Sequence, residues 1–209
     1  EIEAALCLAA SVGASRAIGT TAGTAPILAD FAGAQKILTD NGAPMTDRHV
    51  VIDTTAGVAL RGTSNLYKVN EAGDGSLLRQ GTLGSLYGFD IRESAGIVST
   101  AKGTAASATT NNAGYAVGAT TLTLAAVGTG TIVAGDIITF AGDTNKYVVA
   151  TGNADVSAGG TIVLAAPGLR VAMSAATKAI TVFGTSARNL ALTRNAITLA
   201  TRLPKFQQG

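Results

Sequence analysis

Tryptophan is absent from this chain, and cysteine and histidine occur once each, as Cys7 and His49. A single cysteine excludes an internal disulfide and any cysteine-built metal cluster. One histidine, with no second His, Cys or ordered carboxylates around it, gives a zinc or transition-metal site little to build on. Aromatics make up 4% and charged residues 13% of the chain, so stacking platforms for sugars are few. Fifteen Lys and Arg against 13 Asp and Glu leave a formal charge of +2. No window clusters the basic residues as electrostatic nucleic-acid binding requires. Long apolar runs are missing too. The stretch from Ala4 to Gly13 lies between Glu3 and Arg16 and falls short of the about 18 residues that span a bilayer. Glu1 and Glu3 carry the wrong charge for a secretory leader.

What is present is Ala, Gly and Thr in abundance, with 47% hydrophobic residues and 26 glycines among 209 positions. Disorder would need low hydrophobicity and high net charge, so the chain is expected to fold. The length suits one large domain or two small ones. Because the chain opens on Glu1 rather than Met, it is expected to start inside a longer protein.

The first part reads as helices and short strands. Ile2, Leu6, Ala9, Gly13 and Ala17 recur at three- and four-residue spacing, which predicts a helix over 2–17 with Cys7 as a small buried hydrophobe. The loop from Gly19 to Thr24 lacks the Lys of a phosphate-binding loop. A second helix is predicted over 26–40, capped by Thr24, with Pro26 in its first turn and Ile27, Phe31, Ala34, Ile37 and Leu38 on its apolar face. Asn41-Gly42 and Pro44 end it. Arg48 to Asp53 predicts a strand, on which His49 is structural or partly exposed. Asp53-Thr-Thr-Ala-Gly57 lacks the Gly of an aspartic-protease turn and has no second copy, so Asp53 is read as the cap of a helical turn over 54–60. Asn65 to Asn70 predicts a further short amphipathic piece, and Glu71 to Gly75 a flexible one.

The pivot of the chain is the stretch from Gly81 to Ser94. Gly81, Gly84 and Gly88 permit tight turns. Tyr87, Phe89 and Ile91 then alternate with Gly88, Asp90 and Arg92, the period of a strand with one buried face. Asp90 and Glu93 are read as solvent or inter-subunit charges. Beyond Ser99 the character changes. Ala101 to Gly114 reads as a Thr/Ala/Ser/Asn linker with little core-forming content. Short β-type runs follow at 120–125, 136–141, 146–151, 161–165 and 178–183, which predict a small barrel or sandwich. Ala134-Gly-Asp136 reads as a turn feeding a strand, without the spaced oxygens of a calcium loop. Two strand-like pieces, at 189–192 and 196–202, then rejoin the first module.

Four landmarks carry a family resemblance: Leu38-Thr-Asp-Asn-Gly-Ala-Pro44, Gly81-Thr-Leu-Gly84, Gly88-Phe-Asp-Ile-Arg-Glu-Ser94 and Asn189-Leu-Ala-Leu-Thr-Arg-Asn-Ala-Ile197. Their order and spacing resemble the major coat protein of short-tailed bacteriophages and related prophages, over most of 20–100 and 186–204. Where that family often has an aromatic followed by a basic residue or His, this chain has Leu192-Thr193. The resemblance implies an α+β fold, the C-terminal portion of a Hong Kong 97-type capsid fold with an inserted small all-β barrel or sandwich. Residues 1–98 and 187–209 would form the discontinuous capsid core and 99–186 the inserted β-rich domain. It implies a structural protein of the virion, a major capsid subunit that self-assembles in the host cytoplasm into a head enclosing DNA without sequence-specific recognition. Its partners would be other copies of itself, with scaffolding and portal proteins, and no membrane. No catalytic, cofactor-binding or metal residue is expected, and no enzyme activity. The alternative reading is a β-rich surface or carbohydrate-binding module, an adhesin or head-decoration protein.

Overall fold

The computed structural model describes residues 2–19, 24–72 and 75–198. The chain is mixed α+β, with several sheets and two clusters of buried apolar side chains.

The first cluster forms around helix α2 (Leu28–Asp40) and a four-stranded sheet. In β2 (Arg48–Ile52) the odd and even positions part company: Arg48, Val50 and Ile52 are buried, while His49 and Val51 are half-exposed, as period-two geometry demands. β4 (Phe89–Glu93) lies parallel to β2, and Phe89 completes the core with Phe31, Val50, Ile52, Ala56 and Leu60. A parallel pair needs a crossover. Here it is supplied by α3 (Thr54–Arg61), the short turns α4 (Ser64–Tyr67) and α5 (Val69–Ala72), and α6 (Ser76–Gln80). Asp53 caps α3, its carboxylate accepting from the backbone N–H of Thr55 at 3.2 Å and of Ala56 at 3.3 Å. β3 (Ser85–Leu86) turns back onto β4. Tyr87 and Gly88 form that two-residue turn with φ of 49° and 76°, the left-handed pair that matches strand twist. The strand therefore begins at Phe89, and Tyr87 is an exposed turn residue rather than a member of the buried face.

The second cluster lies within 105–182. β6 (Thr121–Leu124), β7 (Ile137–Phe140), β8 (Lys146–Thr151), β9 (Gly160–Leu164) and β10 (Ile180–Val182) form a sheet in the order β10-β7-β8-β9-β6. Its neighbours are antiparallel. These five strands match the expected runs to within one or two residues at each end, and Leu122, Leu124, Ile138, Phe140, Tyr147, Val149, Ile162 and Leu164 are buried between them.

The stretch from Ala101 to Gly114 is no linker. The amide of Thr110 donates to Lys178 O, and Ala108 O accepts from Ile180 next to the β10 edge. On the other side Asn111 donates to Thr123 O, and Thr109 O accepts from Ala125 at the β6 edge. One segment thus bridges both free edges of the sheet and closes it into a ring. Ala108 and Thr110 are buried in the process. Small side chains look poor in core-forming content, yet they are what a crowded closing strand accommodates.

Two further pieces tie the clusters together. β5 (Ser99–Thr100) pairs antiparallel with β11 (Ser186–Ala187), Ser99 opposite Ala187 and Thr100 opposite Ser186. The chain enters and leaves the β-rich stretch at one place. β12 (Leu190–Thr193) then pairs with β2 and becomes an edge of the four-stranded sheet.

The N-terminal part departs from the expected single helix. α1 (Ile2–Val12) stops before Gly13, and Arg16–Ala17 form β1, which pairs with Lys146 and Tyr147 of β8. Glycine weakens a helix by about 1 kcal/mol relative to Ala, and an edge pairing with a distant strand leaves no local periodicity to read. Cys7 is only half-buried. The cap of α2 is Ile27 rather than Thr24, with the Asp30 carboxylate accepting from the Ile27 amide at 2.9 Å. Pro26 accordingly sits just before the helix. Asn41 ends it as expected, followed by Gly42 at φ 76°. The second expected piece over 196–202 begins on a 3-10 turn at Arg194–Ala196, and its part beyond Thr198 lies outside the described residues. So do Thr20 to Gly23 of the expected loop and Gly73–Asp74 of the expected flexible piece.

Candidate binding cleft

α1, β1, α2 and β12 converge with β7 and β8 around a cleft of about 530 Å³, within the range of small-ligand clefts. Its walls are mostly apolar: Ile18, Phe31, Ile37, Val148, Phe183 and Leu192 are among them. Among the described residues three cations, Arg16, Lys146 and Arg188, share these walls with one carboxylate, Asp30.

Each cation is held differently. Arg16 donates from Nη1 to Gly168 O at 2.8 Å and lies 5.1 Å above the Tyr147 ring. Lys146 donates to Gly19 O and faces the Phe183 ring at 5.2 Å. Such cation–ring contacts contribute roughly 0.5–1 kcal/mol where water still reaches them. Arg188 is the least satisfied. Its Nε and Nη1 are buried without an acceptor, as is Nη2 of Arg16. Burial pushes the Arg188 guanidinium below its ordinary range, with Asp136 acting in the opposite sense. Asp136 is itself fully buried, accepting from Gly103 N at 3.0 Å and from Val133 N at 2.8 Å.

A polar chain runs from the cleft to the end of α2. The Tyr147 hydroxyl donates to Asp143 Oδ2 at 2.6 Å and accepts from Arg170 N at 3.0 Å. Burial first, then the bond to Asp143, pushes the phenol up to about 12. Arg170 in turn reaches Asn41 Oδ1 at 3.1 Å and Asp40 at 3.5 Å. These contacts fasten the N-terminal arm and α2 to the β-rich stretch.

The residues weighed for chemistry lie apart from this cleft. His49 Nδ1 stands 4.0 Å from Asp90 Oδ2 on neighbouring strands. Glu93 is not a free charge: Arg61 Nη2 sits 2.5 Å from its Oε2. Gly57 leaves room for that carboxylate, since a Cβ there would fall 2.8 Å from it. Among the described residues no three of His, Cys, Asp and Glu gather in a way that could hold a metal ion. No described helix is long and apolar enough to cross a membrane. Sequence reasoning missed Arg16 and Arg188 as members of the cleft, and Asp136 as the buried carboxylate that acts on Arg188. The one signal in the sequence is Asp136 directly after Gly135, a pattern that a turn explains equally well.

No family model matches the chain, and no curated protein does. A solved structure from Mycobacterium phage Che8 is similar over 86% of this chain and 52% of that one, with 20% identity and a TM-score of 0.38. The chain thus spans about half the length of that phage structure.

Proposed function

We propose that the chain is part of the major capsid subunit of a tailed phage or prophage, with 99–186 as a domain inserted in a Hong Kong 97-type core. The supporting observation is the pairing of Ser99–Thr100 with Ser186–Ala187. Insertions succeed where the two ends lie side by side, so that the host fold is interrupted at one point only. The separate buried clusters on either side of that pairing fit the same division. The four sequence landmarks point to the capsid family in particular, and three of them fall on the sheet edges and turns around β4 and β12.

On this reading the work of the protein is assembly rather than catalysis. Copies repeat weak contacts under symmetry until a shell closes, and the shell holds DNA without reading its sequence. Scaffolding and portal proteins are the further partners. The test is to induce the prophage or grow the phage, purify particles on a density gradient and quantify their proteins by mass spectrometry. Peptides of this chain should dominate the particle fraction, at hundreds of copies per genome. Their absence from purified particles would overturn the reading.

A further inference from the structure

β12 has an unused edge, and it opens on the cleft. In an antiparallel pair, residues alternate between those bonded to the partner and those whose N–H and C=O point away. The Arg194 amide donates to Asp47 O at 3.0 Å, which continues the register Leu192 opposite His49 and Leu190 opposite Val51. Asp53 N, in the same phase, donates to Asn189 Oδ1 at 2.8 Å. Ile52 O, in the other phase, accepts from Ser94 on the β4 side. The backbone groups of Ala191 and Thr193 therefore face outward, and no described residue pairs with them. Both residues line the cleft. A free sheet edge is a template for another strand, and here it stands beside an apolar wall with three cations and one carboxylate.

We infer that this cleft takes an extended acidic segment of another protein, added as a strand along β12. Main-chain bonds to Ala191 and Thr193 would give affinity, and alternate apolar side chains would seat against Phe31, Ile37 and Phe183. A carboxylate would balance the excess charge of Arg16, Lys146 and Arg188. Asp30 faces the same space, Asp136 acts on Arg188, and Arg170 and Asp143 act on Arg16 in opposite senses, so the excess of positive charge is about one and calls for one carboxylate. The inference stands on the edge geometry and does not depend on the capsid reading.

The experiment uses an acetylated octapeptide alternating valine with threonine and glutamate, and its counterpart with lysine in place of glutamate. Binding is read by fluorescence anisotropy, and amide exchange at Ala191 and Thr193 by NMR. The acidic peptide should bind one to one, at least tenfold tighter than the lysine peptide, and slow exchange at both amides at least tenfold. Arg188→Met should abolish the preference between peptides. Ala191→Pro should abolish binding while leaving the bonds to β2 in place, because proline removes only an outward N–H there. The exchange measurement on the unaltered chain decides the matter even if the proline variant does not fold. Three results would overturn the inference. One is protection of both amides in the free, dilute protein, which would mean the chain's own C-terminal segment occupies the edge. Another is protection that grows with protein concentration, which would make the occupant a second copy. The third is equal binding of both peptides.

Discussion

Arg48 is almost wholly buried, 2% exposed, yet every side of its guanidinium is used. Nε donates to Pro44 O at 2.7 Å, Nη2 to Ala43 O at 2.8 Å, and Nη1 to Thr39 Oγ1 at 3.1 Å. The side chain thereby holds the carbonyls of the turn that follows α2 and ties that turn to the start of β2. Removing it would forfeit three charge-assisted bonds made from a side chain that is itself buried. Arg48→Met should cost about 1–3 kcal/mol of stability in urea titrations, and Arg48→Lys should recover only part, because an ammonium cannot supply the planar fork. Tyr147 makes a second case. Its phenol, pushed up to about 12 by burial and by Asp143, holds its proton in the folded state where an unfolded tyrosine, near 10, would lose it. Its contribution is complete below pH 10 and is lost as pH rises towards 12, on the order of 2 kcal/mol. Urea midpoints measured from pH 9 to 12 should fall more steeply for the native chain than for Tyr147→Phe. At this scale the sequence was a partial guide. Asp53 announced its capping role through its place before a helical run. Arg48 did not, because a charged residue at a strand start is ordinarily exposed, and only the meeting of β2 with the end of α2 buries it.

Among the elements, strands with Val, Ile and Tyr were legible, and the closing segment of the ring was not. Its residues are small and polar, so nothing in their composition separates a packed strand from a loose linker. The deciding contacts come from Thr123, Ala125, Lys178 and Ile180, all far along the chain. Gly103 shows how tight the closure is. Its amide donates to both oxygens of the buried Asp136, and a Cβ would collide with Thr131 O and the Asp136 carboxylate. Gly103→Ala should therefore destabilise by about 1–3 kcal/mol and speed amide exchange through 103–111, whereas Ala101→Gly nearby should leave exchange through the ring unchanged. β1 was illegible for a related reason. Two residues paired across more than a hundred positions carry no periodic signal, and the preceding helical repeat runs straight into them.

For the molecule as a whole, the organisation into an α+β part and a β-rich stretch was visible as a change of composition near Ser99. The cleft between them was not, since its walls come from α1, α2, β8 and β12, elements distributed over nearly two hundred residues. Leu6 and Leu8 on α1 and Val98 beside the β5 pairing are exposed apolar residues, and on the capsid reading they would be places for contacts between copies. The most direct test of the capsid account is electron microscopy of the full-length gene product, expressed together with its neighbouring genes. The account predicts closed, uniform shells with this chain as their main component, each subunit showing the β-rich stretch as a separate projection. A product that stays monomeric and forms no shell under those conditions would contradict it.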